Sequence, residues 1–178
     1  MKLFIAIVAT LILAGIGSAG TYLLGSHNVS ANLDIPANYT PELPSYSNDL
    51  GTWTYTLNIT PESGGYISII LSDNSIPVYG SKLLNGVSDG LVNNYIQLGL
   101  GGLKYGTRTY QGHDAFEISA PAQKMHADDG FWNWPAFYTL LYQPDETASV
   151  TITATDTGES VFRKVLNSTT ITKSTTGG

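Results

Sequence analysis

Between Thr52 and Thr60 the chain reads TWTYTLNIT, with Trp53, Tyr55, Leu57 and Ile59 on one side of the alternation and Thr or Asn on the other. A period of two marks a β-strand buried on one face, so this segment demands a sheet and a core beneath it. GYISIILS follows beyond Pro61 and the Gly64-Gly65 pair, which predicts a hairpin. TRTYQ, HDAFEISA, AFYTLLYQ and ASVTITAT predict four more strands, with turns at Gly112, around Asp128-Asp129-Gly130 and at Pro144-Asp145.

Two stretches change period. In PVYGSKLLNGVSDGLVNNYIQL, Leu84, Val87, Leu91, Tyr95 and Leu98 recur at three and four residues, which predicts an amphipathic helix starting near Pro77. Gly86 and Gly90 weaken it by ~1 kcal/mol each relative to Ala. A shorter helix is predicted where Asp156 and Glu159 have capping-box spacing and Val161, Phe162, Val165 and Leu166 form one stripe. A last strand, TTIT, follows. Strands joined by short turns, with one long and one short helix packed on them, describe an α+β antiparallel fold over residues 52–172. A β-sandwich is the alternative if both helical readings fail.

In this element order, with GHDAFEIS, FYTLLYQ, a Thr-rich strand and GESVFRKVLNSTTIT in succession, the chain resembles the PsbP-like fold family from about Gly51 to Thr172. It is also similar in pattern to small exported or membrane-anchored archaeal and bacterial proteins that carry such domains. The resemblance implies a sandwich of sheet and helices and a binding or accessory role rather than an enzymatic one. It implies no site residue, because no family site motif is matched.

Residues 3–24, LFIAIVATLILAGIGSAGTYLL, carry no charge, and as a helix would cover the ~30 Å hydrocarbon core of a bilayer. With Lys2 before this run and Asp34 the first acidic residue after it, residues 1–25 predict a membrane anchor whose N-terminus is cytoplasmic, the domain lying outside. A cleavable signal peptide is the competing reading, since Gly17/Ala19 and Val29/Ala31 offer small residues for cleavage. Residues 26–51, punctuated by Pro36, Pro41 and Pro44, predict a linker, and residues 173–178 a polar tail.

A net charge of -6, with only 8 Lys and Arg that never cluster, argues against a nucleic-acid partner. The absence of cysteine removes disulfides, thiolate metal sites and cysteine nucleophiles. Reactive side chains are densest between His113 and Trp134, where His113, Asp114, Glu117, His126, Asp128 and Asp129 fall. His113, His126, Asp128 and Asp129 are the candidate ligands for a divalent cation, although their spacing matches no established zinc pattern, and no cofactor is otherwise expected. In HDAFEISA, alternation predicts that Phe116 and Ile118 face the core while His113 and Glu117 face water.

The strongest recognition candidate is Phe131, Trp132 and Trp134 in FWNWPAF. In an extended segment the two indoles, two residues apart, point the same way, and such rings are enriched where proteins bind partners. Of four Asn-Xaa-Ser/Thr triplets, Asn28 and Asn167 are the better glycosylation acceptors, since Pro follows those at Asn38 and Asn58. The expected function is a non-enzymatic cell-envelope domain that recognises a protein or glycan. One alternative is a subunit that self-assembles into a filament or layer by strand exchange. The other is a metal- or serine-dependent hydrolase, for which no nucleophile elbow is present.

Overall fold

The computed structural model describes residues 20–25, 29–35, 38–74, 83–127, 130–145 and 147–173. In chain order, β1 (Gly20–Gly25) and β2 (Val29–Ile35) pair with each other, and β3 (Tyr39–Pro41) and β4 (Ser45–Asp49) both pair with β5 (Thr52–Pro61). β6 (Tyr66–Asn74), α1 (Leu83–Gln97), β7 (Lys104–Tyr110) and β8 (His113–Ala120) follow. A hairpin of β9 (Gln123–Ala127) and β10 (Gly130–Trp134) comes next, then β11 (Phe137–Asp145), β12 (Ala148–Thr155), α2 (Glu159–Ser168) and β13 (Thr169–Lys173). The main sheet runs β3-β5-β6-β12-β11-β8-β7, with β4 also beside β5; β1-β2-β13 and β10-β9 form two smaller sheets. All described pairings are antiparallel.

The register assigns side chains to the two faces of the main sheet. Leu57 pairs with Ile69, Ile69 with Ile152, Ile152 with Leu140 and Leu140 with Glu117, so these five residues share a face. On that face lies the larger core, where Ala31, Leu33 and Ile35 of β2 and Phe162, Val165 and Leu166 of α2 pack on Leu57, Ile69 and Ile152. On the other face Phe116, Ile118 and Phe137 meet Val92 of α1 and Met125 of β9. β8 is therefore covered on both sides.

The linker expected over residues 26–51 is instead largely β-structure. Ala31, Leu33 and Ile35 alternate with exposed or half-buried polar residues and are at most 4% exposed. β2 is central in its small sheet, between β1 and β13, so both its backbone edges are hydrogen-bonded. The domain thus begins before Gly51. The anchor expected over residues 1–25 lies outside the described residues up to residue 19. From Gly20 the chain is β1, and Leu24 is in the core. Among the described residues no helix is long and apolar enough to cross a membrane.

Both predicted helices form, with two differences. On α1 the buried face is Ser88 and Val92 with partly buried Leu91 and Tyr95, while Val87 and Leu98 are exposed. The stripe is rotated because α1 lies over β8 and β11, where Phe116 and Phe137 await it. The start expected near Pro77 lies outside the described residues. On α2 the N-cap is Gly158 without a side-chain bond, so Asp156 and Glu159 do not form a capping box. Asp156 instead sits in a left-handed turn at φ 53, its N–H donating to the Ala136 carbonyl. Across that turn Gly65 has φ 74, and a Cβ there would collide with the Thr155 and Asp156 carbonyls.

The end of α2 is tied to the sheet by Tyr110, whose hydroxyl donates to the carbonyls of Leu166 at 2.8 Å and Thr169 at 2.9 Å. Burial pushes the Tyr110 phenol up to about 12, partly offset by the Gln111 amide that donates to it. Because Leu33 is 1% exposed in the larger core, Leu33→Ala is expected to lower stability by ~2–4 kcal/mol. Urea unfolding measures this, and a change under ~0.5 kcal/mol, as a surface position gives, would return residues 26–51 to a linker.

Candidate functional site

The β9–β10 hairpin stands apart from the main sheet and carries the aromatic run. Its register pairs Trp132 with Met125 and Trp134 with Gln123, and alternates them with Phe131 opposite His126 and Asn133 opposite Lys124. The two indoles do share a face, and it is the inner one: Met125 is buried, and Trp134 packs beside it, edge-on to Tyr95 at 6.4 Å. Trp132 sits edge-on to Trp134 at 5.3 Å and remains 47% exposed. Phe131, 65% exposed, belongs to the outer face, where the Lys124 ammonium lies 4.5 Å from its ring centroid and the His126 imidazole meets it edge-on at 4.9 Å. The three aromatics are thus divided between a footing, Trp134, and two presented rings.

His113 and His126 are not brought together. His113 opens β8 on the face shared with Tyr110 and Tyr142, 6.2 Å from the Tyr142 ring. His126 is on the hairpin that packs against the opposite face. Asp128 and Asp129 lie outside the described residues, and among the described residues no three His, Asp or Glu side chains are grouped to hold a metal. Asn28 is likewise outside them, and Asn167 is exposed on α2.

Glu117 departs from expectation. It does not face water; it is 7% exposed beneath α2. Its carboxylate receives Arg163 Nη1 at 2.8 Å and Arg163 Nη2 in a bidentate pair, and Arg108 Nε at 2.8 Å. Arg163 Nη2 also reaches Glu159 at 3.2 Å, four residues back on α2. Burial alone would raise the Glu117 carboxyl, but the hydrogen bond and charge of Arg163, with those of Arg108, outweigh it and hold it below its ordinary range. The same bond holds the Arg163 guanidinium above its usual value. Beside this cluster, between β7 and α2, opens a cleft of about 640 Å³ lined by Lys104, Gly106, Arg108, Glu117, Tyr138 and Arg163 among others.

With this geometry in hand, similarity to known proteins is informative for the fold alone. Among solved structures the chain is similar to cyanobacterial PsbP (CyanoP) from Synechocystis sp. PCC 6803, at a TM-score of 0.53 and 14% identity, over 93% of this chain and 99% of that one. The fold is PsbP-like. No protein-family model and no curated protein matches the sequence. A PsbP-like sheet with two helices is therefore common ground, and the Glu117 cluster and the Phe131 hairpin are argued from this chain's own residues.

Sequence reasoning missed Arg108, Arg163 and the burial of Glu117. Glu117 and Arg163 are 46 residues apart and meet only because α2 folds back over β8. A carboxyl whose folded pKa lies below its unfolded one contributes stability that is complete above the unfolded value and is lost as pH falls through the folded value. Glu117→Gln, which leaves two guanidiniums short of their counter-ion, is expected to cost ~1–3 kcal/mol at pH 7. Its deficit against wild type should shrink as pH falls below the ordinary carboxylate range, because the unfolded wild-type chain then binds a proton that the paired carboxylate does not. Urea unfolding at pH 7 and pH 3.5 measures this, and a pH-independent deficit would contradict it.

Proposed function

We propose that this is a non-enzymatic recognition domain that works outside the cytoplasmic membrane and holds a protein partner through the outer face of the β9–β10 hairpin. The observation that carries this is the exposure of Phe131 beside Lys124 and His126 on the outer face, with half-exposed Trp132 and Trp134 on the inner face, where Trp134 anchors the hairpin. Exposed aromatics on a rigid footing lose little entropy on binding and supply most of the contact energy at interfaces. A cation already rests on the Phe131 ring, which favours an acidic, partly apolar protein surface over a sugar ring stacked on that face.

Export rests on the uncharged leader. β1 takes Gly20–Gly25 into the folded domain, which limits the run available to the membrane to Leu3–Ala19. Those 17 residues reach only ~25 Å as a helix, short of the ~30 Å core. Gly17 and Ala19 are small residues of the kind found before a signal-peptide cleavage point. These features favour a leader removed after Ala19 over a retained anchor.

The test uses the full-length gene product in its native host, with a photo-crosslinking phenylalanine analogue in place of Phe131 and, separately, of the exposed Tyr66. Irradiation is expected to give one discrete protein adduct from position 131, lost on Lys124→Glu and absent from position 66, on a mature chain that starts at Gly20. No adduct at position 131, or the same adducts from both positions, would contradict the recognition reading. An adduct that retains residues before Gly20 would overturn removal of the leader.

A further inference from the structure

A second site lies on the other face of the sheet, independent of the hairpin. β7 is an edge strand, paired among the described residues with β8 alone, and its residues Lys104, Gly106 and Arg108 share one face, opposite Ser119, Glu117 and Ala115 of β8. α2 covers this face as far as Glu117 and leaves the strip beside β7 open as the cleft. Three features of that strip point to a ligand.

The first is Gly106. Glycine inside a strand weakens it and adds no packing, and it persists where another backbone or a ligand approaches closely. Gly106 has no left-handed φ to require it, and a Cβ built there meets nothing within 4 Å. The strand face at Gly106 is therefore open toward the cleft, with room for a ligand body. The second is Arg108. Its Nε lies 2.8 Å from the Glu117 carboxylate, and its side chain is 60% exposed toward the cleft. A guanidinium locked at Nε presents the Nη1–Nη2 edge as a preorganised fork for a carboxylate.

The third is charge. Lys104, Arg108 and Arg163 line the cleft against Glu117 and Glu159, three positive groups to two negative, which leaves one positive charge in a chain of net charge -6. One surplus charge suits a monoanion, whereas the two carboxylates oppose a dianion such as phosphate. Tyr138, stacked on Phe162 at 5.8 Å, supplies an apolar wall.

We propose that the cleft between β7 and α2 binds a small monocarboxylate with an apolar or ring-shaped body, the carboxylate on the exposed guanidinium of Arg108 and the body over Gly106 against Tyr138. Glu117 is a positioning residue: it orients Arg108 and holds α2 through Arg163. Peptide C-termini and acidic sugars share this carboxylate chemistry, and the probes separate them.

Titration calorimetry on the full chain would use N-acetylphenylalanine as the C-terminus probe and glucuronate as the sugar probe. N-acetylphenylalanine amide serves as the uncharged control, and inorganic phosphate as the dianion. At least one of the two carboxylates is expected to bind, tenfold or more tighter than the amide and than phosphate. Arg108→Gln, at an exposed side chain, is expected to weaken that binding at least tenfold. Gly106→Val, which fills the space with a residue suited to strands, should abolish it while leaving the melting temperature within a few degrees of wild type. Binding of neither carboxylate, equal binding of the amide, or unchanged affinity in Arg108→Gln or in a folded Gly106→Val would overturn the proposal.

Discussion

The structure depends on the antiparallel sheet being covered along one face, and over β8 and β11 on the other, by layers that the chain supplies from its two ends and its middle. Strands β5, β6 and β12 present Leu57, Ile69 and Ile152 on one face, each essentially without solvent contact, and that burial requires β2 and α2 above them. On the other face Phe116 and Ile118 require α1 and the β9–β10 hairpin. At ~25 cal/mol per Å² of apolar surface, neither the larger core nor the Phe116 and Ile118 patch could be left wet, whereas the Thr and Ser side chains of β5, β6 and β12 on the second face stay half-exposed or exposed. One candidate site lies where a cover stops, the cleft where α2 falls short of edge strand β7; the other lies on the outer face of the hairpin whose inner face covers β8.

The parts of this arrangement that were legible in the sequence are those whose signal is local. The alternation of Trp53 through Ile59 gave β5, ASVTITAT gave β12, and the stripe of Phe162, Val165 and Leu166 gave α2 with its buried face. ANLDI in β2 carries the same alternation, but Pro36, Pro41 and Pro44 around it made the region resemble a linker. The prolines in fact flank the strands or lie in a short edge strand, where no ladder donor is lost. β9 was unreadable because Met125 is the one large apolar residue of QKMHA.

The site was harder to read, for a physical reason. Glu117 alternates correctly in β8, yet the rule that charged residues face water fails when both faces are covered. The charge is then kept only because Arg163 and Arg108 arrive from elsewhere in the fold to pair with it. Phe131, Trp132 and Trp134 were legible as a cluster, but their division into inner and outer faces depends on the hairpin register. At 14% identity the shared PsbP-like fold carries no information about either group, since a fold hosts sites without dictating them.

What decides the architecture is that β1 and β2 belong to the folded domain, because the cover over β5 and β6, the limit of the leader and the position of α2 through β13 all follow from it. Native-state hydrogen exchange of the β2 backbone tests it most directly. The amides of Ala31 and Leu33 are expected to exchange only by global unfolding, with the same free energy as those of Ile69 and Ile152. Exchange of the β2 amides at rates near those of an unstructured chain, with Ile69 and Ile152 still protected, would contradict the account.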